Sequence, residues 1–279
     1  HVFAQYDYKV SLIDISEAAL SKALSTIQKN LTRQVEKEVI SADIKDRALA
    51  NIKTNASMKT GLIDAELIVE AATENIDLKL RIFKDLDAFA NPGAILASNT
   101  SSISITKIAE VTRHPENVIG MHFMNPVPLM KLVEVIRGKQ TSDEVTHQIM
   151  NLSKKLGKIP VEVHDAPGFV ANRILMPMIN EAIYALYEGV SGVEEIDTVM
   201  KLGMSHPMGP LQLADFIGLD VCLSILKVLH EGFGTQKYAP CPLLVDMVQA
   251  GEHGVKSQVG FYLYQPGNKE LKIASRFRK

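Results

Sequence analysis

Residues His1–Ser16 read HVFAQYDYKVSLIDIS, and this stretch decides the fold. His1–Gln5 has the pattern of the end of a helix, and Val10–Ile13 is a short apolar strand that stops at Asp14. A strand that ends in a carboxylate and leads straight into a helix is typical of the second strand of a dinucleotide-binding fold, where the acid binds the adenosine ribose. The alternative is an Asp that only ends a strand.

The glycine-rich loop that precedes such a strand is not in the chain, because residues 1–16 contain no glycine. The acid of the dinucleotide-binding fingerprint lies about 20 residues beyond its glycines, so counting back from Asp14 places the loop upstream of His1. We therefore expect the first strand and its loop to be missing from this chain but present in the working protein. The cofactor site is expected to be open where a pyrophosphate would rest.

Apolar strands alternate with helical segments from Asp14 to about residue 165. The predicted strands after Asp14 are Leu67–Val69, Ala94–Ala97, Val118–Phe123, Leu132–Ile136 and Val161–Val163. The predicted helices between them are Leu20–Val35, Asp43–Ala50, Ile76–Phe89, Ile103–Val111 and Glu144–Leu156. This alternation favours an α/β fold with a mainly parallel, doubly wound sheet of the Rossmann type.

The pattern becomes entirely helical after Asp165–Gly168. The predicted helices there are Phe169–Gly189, Val193–Leu202, Leu211–Leu229 and Leu243–Gln249. We therefore predict an α/β domain at residues 1–165 and an all-α domain at residues 166–279. The segment from Gly267 onward is polar and basic, and predicts a loosely held end.

Composition excludes several classes of function. The chain has 279 residues, of which 46% are hydrophobic and 22% charged, with a formal net charge of −2. This charge gives no reason to expect nucleic acid or an anionic membrane as partner, and no apolar run approaches the roughly 20 residues of a membrane span. Cys222 and Cys241 have no metal or redox spacing, so we predict no metal site and a reducing, cytoplasmic compartment.

Small polar residues follow two of the predicted strands. Glu70–Asn75 reads EAATEN, and Ser98–Ser102 reads SNTSS. Both segments lie at carboxyl ends of strands, where open α/β sheets bind ligands. The alternative for SNTSS is an N-cap and turn that begin the next helix.

His122 and Glu134 lie in neighbouring predicted strands and are candidates for proton transfer. A buried carboxylate within an apolar strand is costly without a partner. If the two strands pair, Glu134 can accept a hydrogen bond from one imidazole nitrogen, which makes a general base with its orienting acid. The alternative is an exposed Glu134 on an edge strand. Asn172, one turn into a long helix, is reasonable if its amide faces a cleft.

Four blocks together resemble the short-chain 3-hydroxyacyl-CoA dehydrogenases, and the bacterial 3-hydroxybutyryl-CoA dehydrogenases in particular. They are SNTSS (Ser98–Ser102), MHFMNPVPLMKLVEVIRG (Met121–Gly138), DAPGFVANRILMPMINEA (Asp165–Ala182) and MKLGMSHPMGPLQLADFIGLD (Met200–Asp220). The resemblance runs in order from His1 to about Tyr264. It implies an NAD-binding Rossmann-type domain, followed by a helical domain that binds substrate and forms a homodimer.

The resemblance also implies roles for individual residues in the reaction. His122 matches the family's catalytic histidine, and Glu134 matches its carboxylate partner. Ser101 and Asn172 match the serine and asparagine that position the substrate hydroxyl and thioester. Lys37 falls near a lysine that contacts the phosphates of CoA. The implied reaction is the reversible oxidation of (S)-3-hydroxyacyl-CoA, with 3-hydroxybutyryl-CoA and acetoacetyl-CoA as the expected substrate pair.

Four further residues match the family's cofactor positions. Asp14 matches the acid that binds the adenosine ribose, and its charge would repel the 2′-phosphate of NADP. Glu74, Lys79 and Asn99 match positions near the nicotinamide half of NAD. The segment Val255–Tyr262, VKSQVGFY, departs from the family's usual Lys-Ser-Gly-x-Gly-Phe-Tyr, which affects only the C-terminal packing.

Two other functions remain open at the level of sequence. Dehydrogenases of free 3-hydroxyacids share the two-domain plan, but they use a lysine of the helical domain as the acid or base. A truncated, dimeric relative without catalytic activity would also fit a chain that lacks the pyrophosphate loop.

Overall fold

The computed structural model describes residues 1–265, Gly267 and residues 270–278. The chain divides into two compact units, His1–Ala166 and Pro167–Lys279. Among the described residues, none of the helices combines the length and the apolar character that a membrane span requires.

The first unit alternates helices and strands. Its helices are α1 (Val2–Gln5), α2 (Glu17–Glu36), α3 (Ala42–Ala50), α4 (Met58–Gly61), α5 (Ile76–Phe89), α6 (Ile105–Ala109) and α7 (Asp143–Lys155). Its strands are β1 (Val10–Ile13), β2 (Ile52–Asn55), β3 (Leu67–Glu70), β4 (Ile95–Ser98), β5 (Val118–Phe123), β6 (Leu132–Arg137) and β7 (Ile159–His164). The predicted Rossmann-like α/β architecture is confirmed.

Two sheets make up this unit. The larger has the strand order β3-β4-β5-β6-β7, and the smaller pairs β1 with β2 in parallel. In the larger sheet β3, β4 and β5 run parallel, β6 is antiparallel to β5, and β7 is parallel to β6. The sequence analysis missed β2, because its four residues (IKTN) contain one apolar side chain and show no alternation.

Residues 1–16 form α1, β1 and the N-cap of α2. Ser16 caps that helix, since its hydroxyl accepts a hydrogen bond from the N–H of Ala19 at 3.2 Å. The one strand among these sixteen described residues is β1.

A glycine lets β5 and β6 approach closely. Gly120 lies opposite Ile136 in the antiparallel register, and a Cβ added at Gly120 would lie 2.7 Å from the Cβ of Ile136. Apolar side chains of β4, β5, β6 and α7 pack into one core around this pairing. This close approach at Gly120 fixes the register of β5 against β6 two residues before His122. A slip of the register by one residue would turn every side chain to the other face of the sheet.

The second unit is mainly helical. Its helices are α8 (Ala171–Tyr187), α9 (Val193–Thr198), α10 (Pro210–Ile217), α11 (Leu219–Phe233) and α12 (Pro242–Gln249). The single helix predicted over Leu211–Leu229 is wrong, because Gly218 adopts a φ of +103° between α10 and α11. A left-handed backbone of this kind ends a helix and is accessible to glycine at little cost.

The end of the chain is better held than predicted. Strands β8 (Tyr262–Leu263) and β9 (Lys272–Ile273) form an antiparallel pair, and Ala274 is buried. The expectation of a loosely held end is therefore wrong for residues 272–274, whereas Asn268, Lys269 and Lys279 lie outside the described residues. Strands of two residues are too short to produce an alternating pattern in the sequence.

Two buried aspartates tie the segment Phe261–Tyr264 to α10. Asp197 accepts hydrogen bonds from the N–H of Leu211 at 2.8 Å and from the hydroxyl of Tyr262 at 2.8 Å. Asp215 accepts from the N–H of Tyr262 at 2.9 Å and from the N–H of Phe261 at 3.0 Å. Burial raises the pKa of Asp215 to about 6, against these hydrogen bonds, which act to lower it.

Asp215 predicts a pH dependence of stability. Its folded pKa of about 6 exceeds the ordinary aspartate pKa of 3.8, so the folded state binds the extra proton between these two pH values. The contribution of this group to the free energy of unfolding should therefore rise by about 1 kcal/mol when the pH falls from 7 to 5. Urea unfolding of the wild type and of Asp215→Asn at several pH values measures this difference in slope; parallel pH profiles would contradict the assignment.

Candidate active site

His122 and Glu134 form a buried pair across two strands. They are direct partners in the antiparallel register of β5 and β6, and Nδ1 of His122 lies 2.8 Å from Oε2 of Glu134. His122 is 9% exposed and Glu134 is 2% exposed. The conditional prediction that the two side chains would meet if the strands paired is confirmed, and exposure of Glu134 on an edge strand is excluded.

The pair has the chemistry of a proton-transfer group. A carboxylate at Nδ1 holds the imidazole in one orientation and favours the tautomer with its proton on Nδ1. The other nitrogen, Nε2, is then the basic atom, and the carboxylate stabilises the imidazolium that forms when Nε2 takes a proton. Strands of a packed sheet hold such a pair more firmly than loops would.

Glu74 accepts several hydrogen bonds from the polar segment that follows β4. Its Oε1 accepts hydrogen bonds from the hydroxyls of Thr100 at 2.6 Å, Ser102 at 2.9 Å and Ser101 at 3.3 Å. The same oxygen accepts from the N–H groups of Ser101 and Ser102, each at 3.0 Å. The structure therefore brings together two residues predicted separately, Glu74 and Ser101, at the carboxyl ends of β3 and β4.

The surroundings of Glu74 favour its ionised form. Burial alone would raise the pKa of Glu74, but the hydrogen bonds from Thr100 and Ser102 and the positive charge of Lys79 outweigh burial and lower that pKa. Nζ of Lys79 lies 3.6 Å from Oε2 of Glu74. An ionised carboxylate holds the serine-rich segment more firmly than a neutral carboxyl group would, because hydrogen bonds to an ionised acceptor are stronger than those to a neutral one.

Lys79 lies deeper than its match to a cofactor position suggests. It is 1% exposed, and its Nζ donates to both oxygens of Glu70, at 2.7 and 3.0 Å, and to the carbonyl of Ala72 at 3.2 Å. Ser98 donates to the same carboxylate at 2.7 Å. Lys79 and Ser98 thus share the carboxylate of Glu70, which links the ends of β3 and β4. The predicted contact of Lys79 with a cofactor stays a prediction.

Glu70 is the residue of this cluster whose role the sequence analysis missed. A signal was available, since Lys79 lies three residues after Ile76 and four before Phe83, on the apolar face of α5. A lysine in that position needs a buried acceptor, because an unpaired buried charge is costly. Glu70, which ends the strand that precedes α5, is the acceptor that such a lysine requires.

Asn99 holds the chain beside His122. Its side-chain oxygen accepts a hydrogen bond from the N–H of Phe123 at 2.9 Å, immediately after His122 in β5. Asn99 was predicted to bind the cofactor, and this prediction stays open. The hydrogen bond links the end of β4 to the end of β5.

Asp14 and Lys37 lie at opposite ends of α2. Asp14 is exposed at the carboxyl end of β1 and accepts a hydrogen bond from the N–H of Ser16 at 2.8 Å, and Lys37 is exposed at the C-cap of α2. A helix of 20 residues is about 30 Å long, so the two side chains would serve different parts of a ligand or different ligands.

The residues at the carboxyl ends of the strands fit a dinucleotide. An exposed carboxylate at Asp14 can accept both hydroxyls of a ribose, and the polar segments after β3 and β4 lie where an open α/β sheet binds its ligand. Asn172 belongs to the second unit, where it lies at the second position of α8 and is buried. Its predicted role in binding substrate stays a prediction.

The Glu70–Lys79 pair predicts a large effect on stability. Lys79→Met leaves the carboxylate of Glu70 buried without its counter-charge, so we expect the free energy of unfolding to fall by about 3–5 kcal/mol. Lys84→Met, at an exposed position of the same helix, is the matched control and should change stability little. Urea unfolding measures both.

A double variant tests the cause of this loss. Glu70→Leu combined with Lys79→Met removes both charges, so the protein should recover part of the lost stability. Equal loss in the single and double variants would mean that the buried charge is not the cause.

Two family models match this chain. One, described as 3-hydroxyacyl-CoA dehydrogenase, NAD binding domain, matches residues 1–166. The other, described as 3-hydroxyacyl-CoA dehydrogenase, C-terminal domain, matches residues 168–264. Together they account for most of both units.

Individual proteins are similar over nearly the whole chain. The 3-hydroxybutyryl-CoA dehydrogenase of Bradyrhizobium diazoefficiens is 53% identical over 265 residues, which cover 95% of this chain and 90% of that protein. The mitochondrial hydroxyacyl-coenzyme A dehydrogenase of Homo sapiens is 40% identical over 271 residues, which cover 95% and 86%. The crystal structure of (S)-3-hydroxybutyryl-CoA dehydrogenase from Ralstonia eutropha superposes with a TM-score of 0.92 at 49% identity, covering 95% of this chain and 93% of that one.

Proposed function

The chain belongs to the 3-hydroxyacyl-CoA dehydrogenase family, and on that premise we propose that it catalyses the reversible, NAD-dependent oxidation of (S)-3-hydroxyacyl-CoA to 3-ketoacyl-CoA. We propose 3-hydroxybutyryl-CoA as the substrate. Identities of 53% and 52% to proteins named 3-hydroxybutyryl-CoA dehydrogenase and probable 3-hydroxybutyryl-CoA dehydrogenase support this choice.

The observation that carries the proposal is the buried pair of His122 and Glu134. Oxidation of a secondary alcohol requires a base that takes the hydroxyl proton, and reduction of the ketone requires the same group as an acid. Because Glu134 engages Nδ1 of His122, Nε2 is the atom that takes the proton of the 3-hydroxyl or returns it. The negative charge of the Glu134 carboxylate would stabilise the imidazolium in either direction.

NAD⁺, when bound, supplies the hydride acceptor at its nicotinamide ring. Asp14 would hold the adenosine ribose, and its negative charge would discriminate against the 2′-phosphate of NADP. Glu74, Lys79 and Asn99 would lie at the nicotinamide half, with Glu74 and Asn99 also fixing the segments around them.

Ser101 and Asn172 would position the acyl-CoA. We propose that Ser101 orients the oxygen at C3 and that Asn172 binds near the thioester, so that the proton and hydride leave in one geometry. Lys37 would contact the phosphates of CoA, for which an exposed cation is suited.

The test of the function is a spectrophotometric assay on the full-length protein. We expect oxidation of NADH with acetoacetyl-CoA, slower oxidation with longer 3-ketoacyl-CoA substrates, and lower activity with NADPH. Activity on free 3-hydroxybutyrate but not on its CoA ester would favour a dehydrogenase of free acids. Absence of turnover in protein that still binds NADH would favour a non-catalytic relative.

Substitution of the base separates chemistry from binding. His122→Gln should lower turnover of acetoacetyl-CoA by about 10²- to 10⁴-fold, because proton transfer loses its positioned acid. The affinity for NADH, followed by its fluorescence, should change little. Glu134→Gln keeps a hydrogen-bond acceptor and removes the negative charge, so its loss of turnover should be smaller than that of His122→Gln. Near-normal turnover in His122→Gln would contradict the assignment.

We also propose a homodimer formed through the second unit. Large apolar side chains on that unit are exposed, among them Leu202 at 81%, Val190 at 73% and Ile174 at 67%. Contiguous apolar surface marks protein interfaces, and the proposal places these exposed side chains in such a surface. Sedimentation equilibrium should give the mass of two chains, and Leu202→Glu should shift the protein toward one chain.

A cytoplasmic location is the remaining part of the proposal. Cys222 and Cys241 are both free and buried, which supports a reducing compartment. Fractionation of cells that express the tagged protein would test this location.

A further inference from the structure

Residues Met124–Lys131 connect the strand of His122 to the strand of Glu134, and we call them the hairpin connection. The connection turns at Pro126, whose carbonyl accepts hydrogen bonds from the N–H groups of Leu129 and Met130, each at 3.0 Å. The side chains of Leu129 and Met130 are 71% and 43% exposed. A turn with so little apolar burial of its own needs an anchor elsewhere.

Lys158 is that anchor. It lies between α7 and β7, and its Nζ donates to the carbonyl of Met130 at 2.7 Å and to the carbonyl of Val127. The residue is 8% exposed. Burial lowers its pKa, and two main-chain carbonyls, one near each end of the turn, receive its hydrogen bonds.

The main chain of Lys158 is itself fixed. Its N–H donates to the carbonyl of Ser153 in the last turn of α7 at 3.0 Å, and the N–H of Ile159 donates to the carbonyl of Lys131 at 2.8 Å. Gly157 supplies the left-handed turn before it, with a φ of +68°. The ammonium group therefore ties the hairpin connection to a helix end and to a paired strand.

The strand before the connection has its own anchor. Asn99 accepts a hydrogen bond from the N–H of Phe123, the residue that follows His122. Asn99 and Lys158 thus hold the chain on either side of Met124–Pro126. Without Lys158, the carbonyls of Val127 and Met130 would lose this donor, and the path from Phe123 to the start of β6 would lose its tie to the end of α7.

We infer that Lys158 is a positioning residue for the dehydrogenase reaction, which fixes the hairpin connection so that the chain next to His122 keeps one conformation. The inference rests on the proposed function. Lys158 acts through the main chain of the connection and touches neither substrate nor cofactor in this role.

Kinetics of Lys158→Met test the inference. The variant leaves two carbonyls without their donor, so we expect kcat with acetoacetyl-CoA to fall about 10- to 100-fold through misplacement of the site. Lys155→Met, an exposed lysine in the last turn of α7, is the matched control and should keep the wild-type kcat. Lys158→Arg keeps a charged donor with several N–H groups, and should recover part of the loss.

A spectroscopic reporter separates positioning from a general loss of stability. The chain contains no tryptophan, so Leu129→Trp places a single fluorophore on the hairpin connection. Adding Lys158→Met to this parent should lower the fluorescence anisotropy of the tryptophan under conditions where circular dichroism shows full folding. If Lys158→Met does not fold, Lys158→Gln, which keeps a neutral donor, takes its place in both measurements.

The outcomes are distinct. Wild-type kcat per folded molecule in the Lys158 variant, or an unchanged anisotropy at position 129, would overturn the inference. Failure of the proposed function would instead appear as absence of acetoacetyl-CoA reduction in the wild type and in Lys155→Met alike, while the anisotropy still tests the anchor.

Discussion

The hydrogen bond between His122 and Glu134 is the interaction on which the rest of the candidate active site depends. It exists because β5 and β6 pair in antiparallel register within a sheet that is otherwise mainly parallel. Gly120 permits the close approach of the two strands, and the register then places the imidazole opposite the carboxylate. A shift of the strand register by one residue would turn the imidazole and the carboxylate to opposite faces of the sheet. The fold and the proposed chemistry therefore depend on the same register.

Buried charge organises the neighbouring edge of the sheet. The carboxylate of Glu70 and the ammonium of Lys79 are both almost fully buried, and each ion is satisfied by further hydrogen bonds. Such a pair contributes little net stability compared with apolar packing, but it is costly to break. Its main consequence is therefore geometric, because it fixes the segment from which Glu74 reaches Ser101.

Much of the fold could be predicted, and the site only in part. The strands over Val118–Phe123 and Leu132–Arg137 were predicted within a residue, because buried strands give continuous apolar runs. The polar strand β2 gave no such signal. The partnership of His122 and Glu134 followed from one buried carboxylate, whereas the anchor at Lys158 could not, since its acceptors are main-chain carbonyls that leave no mark in a sequence.

The site separates residues that need precision from residues that need access. His122 and Glu134 lie on strands, where ladder hydrogen bonds and core packing hold both main chains in place. The ligand-binding candidates Glu74, Asn99 and Ser101 lie on segments that follow strands, and side-chain hydrogen bonds to N–H groups hold those segments. Proton transfer is sensitive to misplacement on the order of 1 Å, so the proposed base and its partner are suited to a position on paired strands. Segments between strands and helices can change without disturbing the sheet, so in the proposed site substrate preference could vary while the proton-transfer pair is kept.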